Sequence, residues 1–352
     1  MEPVSTPIPP AGTQPGPTPP AHAALMRAAV ADAVDAPLRV RSVPRPSAGP
    51  GQVLVRVAAS GLNPLDLKIH AGIAAHARQP LPAILGIDLA GTVAALGAGV
   101  TRFAVGDPVY GMAGGVGGLQ GTLAEYAAVD ARLLARAPAN LSLRDAATLP
   151  LVVITAWEGL VDRARVHAGQ RVLVLGGSGG VGQAAIQLAR AFGAEVVATA
   201  GESRRARIEA LGARFVDARS AALPEALAQA GDGHGYDLVY DTAGGASLDL
   251  GFATVKRFGH VVSSLGWGTH ALAPLSFRAA TYSGVFTLLP LLSGEGRAHH
   301  GEILDAAARR VEAGQLTPAV AAPRYTLDTV NEAYAALREG RAQGKLVVDV
   351  AP

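Results

Sequence analysis

The stretch RVLVLGGSGGVGQAAIQLARAFGAEVVATAG, from Arg171 to Gly201, constrains the fold more than any other part of the chain. Arg171 to Leu175 is a short, mostly apolar run of the kind a buried strand needs. Gly176 to Gly180 cannot continue a strand or a helix cheaply, so the chain turns there. Val181 to Phe192 carries apolar residues at helical spacing, and Gly193 closes that helix. Glu195 to Ala200 is a second β-branched, apolar run. Strand, turn, helix and strand within about 30 residues have the size of one βαβ unit.

Inside the turn, Gly177, Gly179 and Gly182 fit G-x-G-x-x-G. The pattern assigns Gly177 the tight turn, Gly179 the close approach of backbone to a pyrophosphate, and Gly182 the packing of helix on strand. The N–H groups that open the helix, around Ser178, Gly180 and Val181, then face the phosphates with the helix dipole behind them. Placed between a strand and a helix, this motif predicts dinucleotide binding.

The end of the second strand speaks to which dinucleotide. An acid there binds the ribose 2′-hydroxyl of NAD. Here the place falls on Ala200 or Gly201, and Ser203, Arg204, Arg205 and Arg207 follow at once. A hydroxyl and several guanidiniums suit a 2′-phosphate, so NADP(H) is the expected cofactor. Two readings compete: the arginines as the solvated first turn of the next helix, and Glu202 as a substitute for the missing acid.

With 352 residues, 49% of them hydrophobic, the chain is long enough for two domains. A net charge of +2 carries no electrostatic footprint for nucleic acid or an anionic membrane. The absence of cysteine removes disulfides, thiolate metal sites and thiol nucleophiles. No apolar run has the length of a membrane span, so the expected location is the cytosol. Residues 1–25 are Pro-rich and nearly uncharged, without the features of a secretory signal, and are expected to form a disordered tail.

Between Ala28 and Leu149 short strands alternate with Gly and Pro turns, the texture of a barrel-like β domain. Strand candidates are Gln52 to Ala58, Ala83 to Leu96 broken by Gly86 and Gly91, Val109-Tyr110, and Gly121 to Val129. Leu141 to Thr148 reads as a helix capped by Asn140 or Ser142. Further on, Tyr236 to Asp241 and His260 to Leu265 read as strands of the sheet begun at Arg171. Pro290 and Pro318 mark breaks before a loop and helix at Tyr325 to Gly340 and a last strand at Lys345 to Val350.

Several ordered motifs now line up: GLNPLDLKIHAG from Gly61, LPAILGIDLAGTV from Leu81, GDPVYG from Gly106, GTLAEYAAV from Gly121, LPLVVITAWEGL from Leu149, the glycine turn, YDLVYDTAGG from Tyr236, and GKLVV from Gly344. Together they resemble the medium-chain dehydrogenase/reductases, in particular the zinc-independent quinone oxidoreductase and enone reductase group. The resemblance runs from Met26 to Val350. It implies an α/β protein: a GroES-like β-barrel catalytic domain at 26–148, a Rossmann doubly wound parallel sheet at 149–289, and a segment at 290–352 that returns to the catalytic domain. The active site then lies in the cleft.

Zinc-dependent members of that superfamily carry a Cys near Asn63 and a His-Glu pair near Ile87-Asp88. Without cysteine, a catalytic zinc needs His and carboxylate ligands at recognisable spacing. His22 sits in the tail, His299 and His300 are adjacent, and His70 and His76 fall in a stretch that reads as a solvated loop. No metal is therefore expected, which removes the Lewis acid of simple alcohol oxidation. The chemistry left is hydride delivery to a small-molecule acceptor that is already activated, an α,β-unsaturated carbonyl or a quinone.

The resemblance also assigns residues. Asn63 lines the nicotinamide end of the cleft, Asp66 fixes the loop, and Lys68 is the candidate donor to the developing oxyanion, against a plain surface lysine. Thr155 faces the cofactor, against an ordinary helix hydroxyl bonded to its own backbone; Leu265 and Gly266 face the nicotinamide side; Lys345 reaches the cofactor or caps a strand; and Trp267 and Phe286 line the substrate pocket, against plain core aromatics. Glu125 and Tyr126 hold the catalytic domain together. No residue is assigned to proton delivery. Relatives often dimerise through a Rossmann-domain edge strand, which puts Thr281 to Leu289 forward as a homodimer edge. Two further readings stay open: a nucleotide-binding protein with little catalysis, and a zinc-free alcohol dehydrogenase.

Overall fold

Arg171–Leu175 is the strand from which the second half of the chain is built. Val172, Leu173 and Val174 are fully buried, because helices cover both faces of the sheet. The computed structural model describes residues 24–340 and 342–351, so the stretch read as a tail lies almost wholly outside the described residues. The six-stranded sheet runs Arg214–Asp217, Glu195–Ala200, Arg171–Leu175, Tyr236–Asp241, Val255–Ser263, Thr281–Gly284, with every neighbouring pair parallel. Strand order reverses beside Arg171–Leu175, and such reversals leave a crevice at the carboxyl ends of the strands. On one face Val172, Val174 and Ala198 share a core with the helix Gly180–Ala191. Leu173, Leu175 and Val239 pack on the other.

The first half of the chain forms a mostly antiparallel sheet centred on Gln52–Gly61. This strand pairs with Asp88–Leu96, Tyr126–Asp130 and Val347–Asp349. The last of these comes from the far end of the sequence, so the sheet is incomplete until the C-terminus returns. The register opposes Val347 to Gly61, and Leu62 N–H donates to Leu346 C=O at 2.9 Å. Lys345 and Asn63 are thereby brought side by side.

Several local expectations are corrected. Gly86, at φ +99°, does interrupt the run after Leu81, but Gly91 does not. Asp88–Leu96 passes straight through Gly91, where a Cβ would stand 2.2 Å from Arg56 C=O. That glycine serves close strand packing, not a turn. Within Gly121 to Val129 only Tyr126–Asp130 joins the sheet, because Thr122 and Leu123 N–H donate instead to Gly86 and Leu85 C=O. The strand expected at His260 to Leu265 is Val255–Ser263. Pro290 lies in the first turn of the helix Leu289–Ser293, and the long helix Arg297–Glu312 follows before Pro318. Its buried His300, Ile303, Leu304, Ala307 and Val311 stand at helical spacing, a signal present in the sequence but diluted by alanine. Among the described residues no helix is long and apolar enough to cross a membrane.

Gly91→Ala is expected to destabilise the protein by about 1–3 kcal/mol, since the new methyl meets backbone that cannot yield without bending the sheet. A urea midpoint equal to wild type contradicts this.

Candidate active site

The glycine turn is built somewhat differently from its pattern. The left-handed residue is Gly176, at φ +83°, where a Cβ would stand 2.6 Å from Thr242 Oγ1. Gly177 is instead pressed under Ala198, with a Cβ-to-Cβ approach of 2.9 Å. Gly182 packs on the turn as expected, since its Cβ would reach 2.3 Å from Gly176 C=O. Gly179 faces open space, with only Gly176 C=O within reach at 3.6 Å. It starts the helix in extended conformation without a side-chain cap, so the first-turn N–H groups are left for a ligand.

This turn borders a cavity of about 640 Å³, also lined by Ser203, Arg204, Arg207 and Lys345. Arg205 does not line it. Its guanidinium grips Glu202 through two bonds of 2.7 and 2.9 Å and lies 4.2 Å over the Phe215 ring. That pairing also occupies Glu202 and holds its carboxyl below the usual range. Arg207 is the better-placed cation. Its Nε donates to Gln183 Oε1 at 2.8 Å, while its Nη2 is buried with no partner among the described residues. An orphaned guanidinium nitrogen beside uncapped helix N–H groups fits the anionic oxygens of a dinucleotide.

The other side of the site is a buried ionic cluster. Asn63 begins the helix Pro64–His70, and its N–H donates to Asp66 Oδ2 at 2.7 Å. Its carboxamide Nδ2 donates to Asp88 Oδ2 at 3.0 Å, and its Oδ1 accepts from Lys345 Nζ. Lys345 also reaches Asp88 Oδ2 at 3.3 Å, and Leu151 N–H donates to Asp88 Oδ1 at 3.0 Å. Asp88 is entirely buried. Burial pushes its carboxyl up, against the pull of Lys345, Asn63 and Leu151. Burial also pushes Asp66 up to about 7, and its Oδ1 has no partner among the described residues.

Between cluster and glycine turn lies an inner cavity of about 310 Å³. Asn63, Lys68, Thr155, Val181, Leu265, Trp267, Phe286 and Lys345 all line it. An outer cavity of about 510 Å³ shares His76, Trp267 and Phe286 with it and adds Gly266 and Tyr282. The Trp267 ring stacks near His76 at 5.2 Å and meets Phe286 edge-on at 6.1 Å. The Lys68 side chain, near the end of its helix, has no hydrogen-bond or ion-pair partner among the described residues, so its ammonium is available at the inner cavity.

Comparison with known proteins gives this geometry a family. Residues 49–139 match the model of the alcohol dehydrogenase GroES-like domain, and residues 211–348 match that of a zinc-binding dehydrogenase. A 2-methylene-furan-3-one reductase of Solanum lycopersicum is 35% identical over 309 residues, covering 86% of this chain and 72% of the relative. The chain belongs to the medium-chain dehydrogenase/reductase superfamily. The crystal structure of an alcohol dehydrogenase superfamily protein from Novosphingobium aromaticivorans superposes with a TM-score of 0.91 at 55% identity, covering 93% of this chain and all of that one. A mycocerosic acid synthase-like polyketide synthase of Mycobacterium tuberculosis is 35% identical over 86% of this chain, which spans only 14% of that relative's length.

Within this medium-chain dehydrogenase/reductase framework, some site residues were not assigned from sequence. Asp88 had a signal: one carboxylate inside the apolar run ILGIDLAGTV, where a buried charge needs a partner. Glu158, Thr287 and His300 had none, because their meeting depends on the fold. His70 is corrected from solvated loop to buried helix, with Nε2 bonded to Ala36 C=O at 2.7 Å. Among the described residues no three or more His, Asp or Glu side chains are grouped to hold a metal ion.

The titration of Asp66 carries a stability signature. Its ordinary value is 3.8, so from there to about 7 the folded chain keeps a proton that the unfolded chain has released. Stability therefore falls as pH rises through that window. Asp66→Asn keeps an acceptor for Asn63 N–H and removes the titration. The variant is expected to show a shallower loss of denaturant midpoint between about pH 4 and about pH 7, and an unchanged slope contradicts it.

Proposed function

We propose that this protein is an NADPH-dependent, zinc-independent reductase of activated double bonds, acting on enones and, as a related acceptor class, quinones. The observation that carries the reading is the Asn63–Asp88–Lys345 cluster at the inner cavity. An ammonium, a carboxamide and a backbone N–H already satisfy the Asp88 carboxylate, and the chain has no thiolate to offer zinc. This donor set suits a polar anchor better than a divalent cation. A bound reduced nicotinamide dinucleotide would supply the hydride.

The chain's own residues do the rest. The glycine turn and uncapped helix start receive the pyrophosphate. Arg207, with Ser203 and Arg204 beside it, receives the 2′-phosphate. Lys68 donates to the substrate oxygen as negative charge grows there, which stabilises the transition state more than the ground state. Trp267 and Phe286 offer an apolar, aromatic face to the carbon skeleton. The similarity to a 2-methylene-furan-3-one reductase supports the enone class. The location proposed is the cytosol. The sheet edge Thr281–Gly284 suits pairing with a second copy.

The test is NADPH oxidation with a small enone and a benzoquinone, for wild type, Lys68→Ala and Arg207→Ala. Loss of one oxyanion donor is expected to lower kcat on the enone about 10²-fold with little change in NADPH affinity. Arg207→Ala is expected to weaken NADPH binding roughly tenfold or more and to spare NADH. NADPH binding by wild type without turnover of either acceptor replaces this reading with that of a nucleotide-binding protein. Alcohol-dependent reduction of NADP+ alone reverses the direction proposed.

A further inference from the structure

Reduction of an enone needs two hydrogens. A hydride goes to the β-carbon, and a proton must follow to the α-carbon. The residues around Asn63 and Lys68 account for binding and for the oxygen, and leave the proton without a source.

Another part of the inner cavity has one. Thr155 and Thr287 both line it, and both are buried. The Thr287 hydroxyl lies 3.0 Å from Thr155 Oγ1 and 3.2 Å from Glu158 Oε2. Thr155 donates its own proton to Leu151 C=O at 2.7 Å, which turns its lone pairs toward Thr287. The other Glu158 oxygen lies 3.3 Å from His300 Nε2. His300 is 1% exposed, and its Nδ1 has no partner among the described residues. The Glu158 side chain keeps 14% of its surface exposed while its carboxyl reaches Thr287.

The local backbone is unusual in a way that makes this possible. Glu158 opens a π-helical segment, Glu158–Arg163, directly after the helix Pro150–Trp157. Gly159 sits against the Tyr240 ring, where a Cβ would come within 2.4 Å, and Tyr240 O–H donates to Thr155 C=O at 2.7 Å. Wider turns of this kind occur often at functional sites, because they re-aim a side chain that a regular helix would place elsewhere.

We infer that Thr287 hands the proton to the α-carbon of the substrate and that Glu158 refills it. The inference rests on the reductase reading above. The Thr287 O–H bond breaks as the α-carbon–hydrogen bond forms. The Glu158 carboxyl passes its proton to the Thr287 oxygen, and the resulting carboxylate is reprotonated by a hydronium ion or buffer acid arriving at its partly exposed side chain, which leaves water or the buffer base. One hydride and one proton are added to the substrate, and Thr287 ends as it began. Thr155 and His300 are positioning residues: one holds the Thr287 oxygen at the cavity, and the other orients Glu158.

The experiment uses an α-methyl cyclic enone, NADPH and D2O, with wild type, Thr287→Val, Thr287→Ser and Glu158→Gln. The configuration of the deuterated α-carbon is read by NMR of the product, beside kcat and the thermal unfolding midpoint. Wild type is expected to label one face. Thr287→Val is expected to label both faces nearly equally and to lose about 10²-fold in kcat. Thr287→Ser should restore single-face labelling, which a merely structural role for the hydroxyl would not require. Glu158→Gln, nearly isosteric, should lower kcat about tenfold or more while keeping single-face labelling, even where Thr287→Val folds poorly. Single-face labelling retained in Thr287→Val, or an unchanged kcat in Glu158→Gln, overturns the relay alone. Wild type that reduces no enone overturns the reductase reading, and the relay falls with it.

Discussion

A carboxylate with no access to water must be paired, and the pairing of Asp88 ties this molecule together. Its partners come from three distant parts of the chain: Asn63 after a strand of the first half, Leu151 at the start of the next domain's first long helix, and Lys345 just before the final strand. Removing one partner of a buried ion pair typically costs about 3–5 kcal/mol, a large share of the 5–15 kcal/mol that holds a typical domain folded. The sheet register that opposes Val347 to Gly61 and the ionic cluster therefore reinforce each other. Three neighbouring strands of the first sheet, Val347–Asp349, Gln52–Gly61 and Asp88–Leu96, are fastened at the place where the cavity opens.

The site is assembled from opposed chemistries on either side of one cleft. On the Rossmann side, backbone N–H groups and Arg207 present positive charge without a counterion among the described residues, the condition for receiving phosphates. On the other side, charge is already balanced within the Asn63–Asp88–Lys345 cluster, so its role is to hold groups in place. Lys68 is the exception there, a cation at the inner cavity whose ammonium has no partner among the described residues. The contrast between satisfied and unsatisfied groups separates scaffold from working residues. Arg205 and Arg207 illustrate it: both follow the same strand, yet one is consumed by Glu202 and the other faces the cavity.

The family model that matches residues 211–348 is named for zinc, and the chain has no cysteine to offer such an ion. An acidic residue sits buried as zinc sites often require, yet an ammonium and amide groups saturate it. The polar network of Thr155, Thr287, Glu158 and His300 reaches the same cavity from the helical side.

Local rules were enough for the βαβ unit. The apolar strands, the glycine turn and the helix at 180–191 follow from spacing alone, because each is decided by neighbours within a turn or two. Asp66 as a loop partner came from the family resemblance, and its contact is local, since it stands three residues from the Asn63 N–H that it accepts. Gly91 misled, since a glycine required by a neighbouring strand looks the same in sequence as one required by a turn. What only the tertiary structure decided was which polar groups meet. Lys345 and Asn63 are 282 positions apart, and Thr287 and Glu158 are 129 apart. Sheet register and helix packing bring them together, and a side chain's protonation, availability and direction depend on those partners. The sequence by itself determined the elements and the family of chemistry, through short-range sterics and hydrophobic period. Long-range pairing in a medium of low dielectric decided which residues are left to do that chemistry.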